Sequence, residues 1–263
     1  MHDSAAQVIE QQALSAGYSR LVLAAPAVAR AARPGQFVHV RVTGLEPAAL
    51  RRPFSLYDAA GDTLSLLYKT VGRGTAQLAR LAPGDAVGVL GPLGNGFPPP
   101  DDGTRPVLVA GGYGVAPLAF LARRLAPQRG ILFDGGRTAA DVLCLDDFAA
   151  LGWETRVATE DGSRGARGLV TDAFDPWLAQ HAAEPFTLFA CGPRPMLRAV
   201  AERALPAGRQ AWLSLDKHMV CGVGACLACV QTLRRADGTT WIARVCRDGP
   251  VFEAREIVWE ARP

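Results

Sequence analysis

The chain shows almost no imbalance of charge: 28 Lys and Arg against 25 Asp and Glu leave a net charge of +3 over 263 residues. No basic run occurs, and no tract interleaves aromatics with Lys or Arg, so nothing points to nucleic acid. Low-complexity tails are also absent. No apolar stretch approaches the ~20 residues of a membrane-spanning helix. The opening MHDSAAQVIEQQALS lacks the basic start and apolar core of a signal peptide, so a cytoplasmic protein is expected. Histidine is scarce, with four residues, which leaves few partners for a nucleophilic thiol. Six cysteines in a chain of this length are too few for a secreted disulfide scaffold. Cys144 and Cys191 stand alone and read most simply as small buried apolar residues.

The other four cysteines are grouped. MVCGVGACLACV places Cys221, Cys226 and Cys229 in a C-x4-C-x2-C pattern, and Cys246 follows after a longer gap. This is the spacing of a plant-type [2Fe–2S] loop. Gly222 and Gly224 let the backbone turn tightly and aim N–H groups at sulfur, while Ala225 and Ala228 avoid crowding. A structural zinc is the main competitor, although zinc favours paired C-x2-C knuckles or added histidines, and only one C-x2-C is present. His218, just outside the loop, reads as a surface residue. A cluster of this kind carries one electron at a time, so a second redox cofactor is to be sought.

Periodicity divides the remainder. Residues 1 to about 100 contain short strand-like runs separated by the turns RPGQ, AAGD and APGD, which suggests an antiparallel barrel or sandwich. In FVHVRV, Val38, Val40 and Val42 alternate with His39 and Arg41, as in a half-buried strand. The proline-rich GFPPPDDGTRP looks like a boundary. Beyond it strands and helices alternate at least four times, the pattern of a parallel sheet covered by helices on both faces. Its ligand site is expected at the carboxyl ends of the strands, two of which carry the glycine-rich turns AGGYGVAP and CGPRP. The expected architecture is therefore an antiparallel β-barrel or sandwich domain over 1–101, an α/β domain over 102–210 and a small cysteine-bearing subdomain over 211–263. That last segment is too short to hold a core of its own without a metal or a neighbour.

RRPFSLYD offers Arg52 to pair with a phosphate and Ser55 to add a hydrogen bond, with Phe54 or Tyr57 to lie against an aromatic ring. YKTVGRGT offers Gly72, Gly74 and Thr75 as a pyrophosphate cradle. Alone, each is more often a solvated arginine or an ordinary turn.

Taken together, RPFS, LYKTVGRGT and GPLGNGF resemble the flavin domain of the ferredoxin–NADP reductase superfamily. AGGYGVAPL, TEDGSRGARGLVTD and CGPRPML resemble its nicotinamide domain. MVCGVGACLACV with VCRDGPVF resembles the C-terminal cluster module of one branch, the electron-transfer subunits of NAD-dependent, class 1B dihydroorotate dehydrogenases. The resemblance spans essentially the whole chain in order. It implies FAD held by Arg52, Pro53, Phe54, Ser55, Leu67, Tyr68 and Lys69, with Gly74 and Thr75 at the phosphates. Gly112, Gly114, Cys191, Gly192 and Pro193 would face NAD(H), Cys191 as a pocket wall. Cys221, Cys226, Cys229 and Cys246 would hold the [2Fe–2S] cluster. The chain departs from the family pattern at Tyr113, where a third glycine is usual, and at DGGR (134–137).

The resemblance further implies an oxidoreductase subunit of pyrimidine biosynthesis, assembled as a heterotetramer with a separate FMN-containing catalytic subunit. Electrons would pass between that subunit and NAD(H) through the cluster and FAD, with no acid–base dyad in this chain. An apolar patch is expected beside the cluster loop, and the chain alone should reduce dyes with NADH without oxidising dihydroorotate. Two alternatives stand beside this reading. One is a reductase subunit for a hydrogenase, a dihydropyrimidine-type dehydrogenase or an oxygenase. The other is a zinc-stapled interaction protein with no redox activity.

Overall fold

A computed structural model describes residues 1–42, 50–206 and 208–259. In the first hundred residues six strands close into an antiparallel barrel of order β1-β2-β5-β4-β3-β6. They are β1 (His2–Ala13), β2 (Tyr18–Ala24), β3 (Phe37–Arg41), β4 (Arg52–Ala60), β5 (Thr63–Lys69) and β6 (Ala86–Leu93). Two short helices, α1 (Pro26–Ala31) and α2 (Arg73–Leu78), plug its openings. Closure follows from alternation: Leu21, Leu23, Val38, Val40, Leu56, Leu64, Leu66, Val87 and Val89 point inward into one fully buried core.

On β3 the alternation departs from expectation. Arg41 is exposed, but His39 on the same outward face is completely buried. The outer face of the barrel is half-solvated only where nothing covers it, and here the cysteine-bearing segment lies across it.

The second body is a seven-stranded sheet of order β10-β9-β8-β7-β11-β12-β15. Its strands are β7 (Arg105–Gly111), β8 (Ile131–Gly136), β9 (Glu154–Thr159), β10 (Ala166–Arg167), β11 (Phe186–Cys191), β12 (Ala211–Ser214) and β15 (Val251–Glu253). All pairings are parallel except β12 with β15. Helices α3 (Val115–Leu125), α4 (Leu145–Ala150), α5 (Val170–Gln180) and α6 (Arg194–Ala204) form the crossovers. The strand cores are continuous apolar runs, such as PVLVA and FTLFAC, because both faces are covered.

Residues 211–259 do not leave this sheet altogether. The chain runs out of β12, makes the cysteine loop and the hairpin β13 (Val230–Arg234) and β14 (Thr240–Arg244), turns through α7 (Val245–Asp248), and returns as β15 beside β12. A core of Cys229, Leu233, Ala243, Val245, Cys246 and Phe252 joins the barrel residues Phe37 and Leu93 to the sheet. No helix among the described residues is long and apolar enough to cross a membrane.

Candidate functional site

The cysteine loop folds as its glycines dictate. Gly222 and Gly224 sit at φ +71° and +83°, and Leu227 at +58°. Three left-handed residues in six make the chain curl on itself, and two of them are glycines, for which that conformation carries no steric penalty. The curl turns backbone N–H groups inward: Ala225 and Cys226 donate to Cys221 Sγ at 3.3 and 3.4 Å, and Cys246 N–H donates to Cys229 Sγ at 3.4 Å. Partial desolvation resists ionisation of Cys221, yet donors from Val223, Cys226 and Ala225 outweigh it and bring the thiol down to about 6. Burial, with the neighbouring Cys229 thiol, drives Cys246 the other way.

The thiols come in two pairs, Cys221 with Cys226 and Cys229 with Cys246, each within hydrogen-bonding reach. Among the described residues no three His, Cys, Asp or Glu side chains converge on a single point. Two pairs suit two sulfide-bridged irons, each taking two cysteines, better than one tetrahedral zinc. The donors already aimed at sulfur fit the same group.

The arm is locked in place from both sides. Asn95, in the turn after β6, donates its side-chain amide to the carbonyls of Asp248 at 3.0 Å and Arg247 at 3.3 Å, and its backbone N–H to Gly249 O. Arg244 closes α7 on Asp248 with a pair of contacts at 3.0 and 3.1 Å.

Next to the arm lies the outward face of β3 and β4. Their register pairs Phe37 with Ser55 and His39 with Pro53, so all four share that face. Pro53 and Ser55 are half-buried and open to a ligand. Phe54 and Tyr68 turn the other way and meet edge to face inside the barrel, so only their backbones reach the outer surface. Arg52 lies against Gly74, where a methyl group would come 2.7 Å from its Nε, so the RPFS strand and the GRG turn do meet. Thr75 Oγ1 accepts from Val71 N and Gly72 N at 2.9 and 3.1 Å and donates to Gly72 O, which commits the hydroxyl to shaping the turn.

Leu67 and Lys69 belong to the seam between barrel and sheet. Lys69 Nζ donates to Asp141 Oδ1 at 2.8 Å, and Tyr18 Oη donates to the same oxygen at 2.8 Å. The bond from Lys69 holds the Asp141 carboxyl below the usual carboxylate range. Further along, Arg123 on α3 grips Tyr57 O and Oη at 2.9 and 2.8 Å, and Tyr57 Oη donates to Asp147. Tyr57, offered by sequence as a stacking ring, is therefore an interface residue.

In the sheet the strand order reverses between β7 and β11, the switch point at which open α/β sheets bind ligands. Both glycine-rich turns lie there. A methyl at Gly114 would come 2.3 Å from Cys191 O, and one at Gly111 would come 2.8 Å from Pro193 Cδ. Glycine thus lets the turn after β7 nest against the turn after β11, bringing Gly112, Gly114, Cys191, Gly192 and Pro193 together. Cys191 is buried, and desolvation pushes its thiol up to about 12, which suits a wall and not a nucleophile. Tyr113 is 49% exposed at the mouth of this crevice.

Of the residues that matter here, His39, Asn95 and Asp141 were not singled out by sequence. Only GPLGNGF carried a signal, for Asn95.

The geometry agrees with what the chain is similar to. Residues 216–258 match the family model of the iron–sulfur cluster binding domain of dihydroorotate dehydrogenase B, and residues 108–202 match the oxidoreductase NAD-binding domain. The electron transfer subunit of dihydroorotate dehydrogenase B (NAD(+)) from Bacillus caldolyticus is 45% identical over 258 residues, covering 95% of this chain and 96% of the relative. That of Geobacillus kaustophilus is also 45% identical, over 259 residues, with the same coverage. Among solved structures, a chain of the NADH-dependent reduced ferredoxin–NADP oxidoreductase, from work on flavin-based electron bifurcation, superposes with a TM-score of 0.83 at 30% identity, covering 97% of this chain and 90% of that one. An Amycolatopsis cytochrome P450 reductase superposes with a TM-score of 0.66 at 30% identity, covering 78% of this chain and 66% of that one. With the barrel, the switch-point crevice and the paired thiols joined in one chain, the protein belongs to the family of electron transfer subunits of the NAD-dependent dihydroorotate dehydrogenase B.

Proposed function

We propose that this chain carries electrons between NAD(H) and a partner that oxidises dihydroorotate. The observation that carries the reading is the convergence of three sites: the paired thiols lie across the same barrel face that offers Pro53 and Ser55, and the crevice between β7 and β11 opens beside the barrel seam. When bound, FAD and the [2Fe–2S] cluster supply the exchange between two-electron hydride chemistry and single electrons.

The chain's own residues bind and align. Pro53 and Ser55 would line the flavin, with Arg52 over Gly74 supplying positive charge for its phosphates. Phe54, Leu67, Tyr68 and Lys69 support that face from behind, through backbone, core and seam. The nested turns at Gly112, Gly114 and Cys191–Pro193 would seat the nicotinamide and exclude water, so that the two rings meet in a fixed geometry. Cys221, Cys226, Cys229 and Cys246 would hold the cluster. No side chain needs to act as an acid or base.

The partner is met at the tip of the arm. Among the described residues, twelve large hydrophobic side chains are exposed, and five of them, Val220, Val223, Leu227, Val230 and Ile242, belong to the cysteine loop and its hairpin. A patch of this kind beside a redox centre suits docking of another protein.

The test is reconstitution. The loaded chain alone should reduce dyes with NADH and leave dihydroorotate untouched. Mixed with a dihydroorotate-oxidising FMN subunit, it should confer NAD⁺ reduction by dihydroorotate. Dihydroorotate turnover by the chain alone, or no gain on mixing, would contradict the reading.

A further inference from the structure

The turn after β7 carries one large side chain among its glycines. Tyr113 stands between Gly112 and Gly114 in a single tight helical turn. A methyl at Gly114 would come 2.3 Å from Cys191 O and 2.8 Å from Gly192 N, and one at Gly112 would come 3.5 Å from Tyr18 Oη. The turn is thus wedged between the end of β11 and the barrel seam, and Tyr113 leaves it from a fixed backbone.

Strand order says which way the side chain runs. Cys191, the last residue of β11, pairs with Ala110 of β7 on one side and with Ser214 of β12 on the other. Tyr113 follows Ala110 and Asp216 follows Ser214, so these two start on opposite sides of Cys191, with adjacent strands about 4.8 Å apart. Desolvation first, then the charges of Asp216 and Cys191, push the Tyr113 hydroxyl above its usual range. Its hydroxyl end is therefore covered and faces groups at the ends of β11 and β12, while 49% of the residue stays open. A side chain that begins beside β7 and ends among those groups leans over the crevice and not away from it.

We propose that Tyr113 grips the nicotinamide end of NAD(H) in this crevice, its ring packing against the nicotinamide ring. The other residues gathered there, Gly112, Gly114, Cys191, Gly192 and Pro193, shape the crevice but offer no aromatic face. Oxidised nicotinamide is a flat cation, and the face of a tyrosine ring attracts one. Tyr113 is thus a binding residue that sets affinity at one end of the dinucleotide and leaves the adenosine end untouched. The inference rests on the reading that this crevice seats the nicotinamide.

The experiment compares the oxidised, loaded chain with Y113G, Y113L and Y113F. Flavin and iron per chain are measured first, then the binding of NAD⁺ and of ADP-ribose, which lacks the nicotinamide, by titration calorimetry. Y113G should weaken NAD⁺ about tenfold, the loss of one aromatic stack, and leave ADP-ribose within about twofold of the wild type. Y113F, which restores the ring, should bind NAD⁺ within about twofold of the wild type. Y113L, apolar without a ring, should lose about fivefold for NAD⁺ alone, and it carries the test if Y113G sheds its flavin. Unchanged or tighter NAD⁺ binding in the ringless variants would overturn the proposal. So would an equal loss for NAD⁺ and ADP-ribose, which would mean that Tyr113 only shapes the turn. A wild-type chain that binds neither ligand would instead overturn the reading of the crevice on which the proposal rests.

Discussion

At residue 222 the backbone is left-handed and the imidazole of His39 occupies the place of a side chain. Gly222→Ala therefore combines a conformational penalty of about 1–2 kcal/mol with a clash against a ring that has no room to move. The expected outcome is less than half the wild-type iron per chain. Gly61→Ala is the control, since Gly61 has a similar φ of +55° with nothing within 4 Å of the added methyl, and it should keep its iron.

Asp134, at the end of β8, makes a different prediction. It is fully buried, and desolvation pushes its pKa well above the ordinary value, outweighing the opposing pull of the Leu143 and Gly135 backbone N–H groups, neither of which makes a well-formed hydrogen bond to it. The folded state therefore keeps a proton that the unfolded chain releases above about pH 4, so stability falls as pH rises from there toward the folded pKa. Asp134→Asn removes that penalty. Its thermal midpoint, followed by release of flavin fluorescence, should exceed that of the wild type at pH 8, and the gap should close as pH falls toward about 4. A lower midpoint at pH 8 would mean that the carboxyl is ionised and partnered in the loaded protein.

At the scale of elements, the arm that carries Cys246 is held to the barrel through Asn95. Asn95→Ala deletes two side-chain hydrogen bonds, to the Arg247 and Asp248 carbonyls, together about 1–3 kcal/mol. For a chain of this size that is about 2–10 °C. Loss of the cluster's visible absorption on heating should come earlier by that amount, ahead of flavin release. Simultaneous loss of both would show that arm and barrel unfold as one unit.

Elements also show what could be read from sequence. The C-x4-C-x2-C loop, the βα alternation and both glycine-rich turns were legible because spacing and glycine placement are local signals. β1 was not: its sequence HDSAAQVIEQQA buries only Ala6 and Val8 fully, and a bulge between Val8 and Glu10 breaks its alternation. His39 looked like a solvated outward residue because what covers it comes from 180 residues further along the chain. The pairing of Lys69 with Asp141 and of Tyr57 with Asp147 was not legible, because these residues become neighbours only when barrel and sheet dock. Local pattern shows which way a side chain points; what it meets there is decided by packing between distant segments.

At the scale of the whole molecule, the arm puts the cluster loop at an exposed apolar tip, 60% exposed at Leu227 and 58% at Ile242. Ile242→Glu places a charge on the hairpin face beside that tip, outside the thiol pairs. It should weaken association with the catalytic subunit at least tenfold, as measured by titration calorimetry or sedimentation, while the cluster spectrum is preserved. Unaltered affinity would move the docking surface elsewhere.

The central claim is that nicotinamide, flavin and cluster form one continuous path within this chain. It is tested most directly by the visible absorption spectrum of the anaerobically purified chain, recorded before and after NADH is added. The account predicts flavin and iron–sulfur bands at the outset and bleaching of both by NADH with no partner present. Cluster bands that stay unchanged while the flavin bleaches, or bands that do not respond to NADH at all, would contradict it.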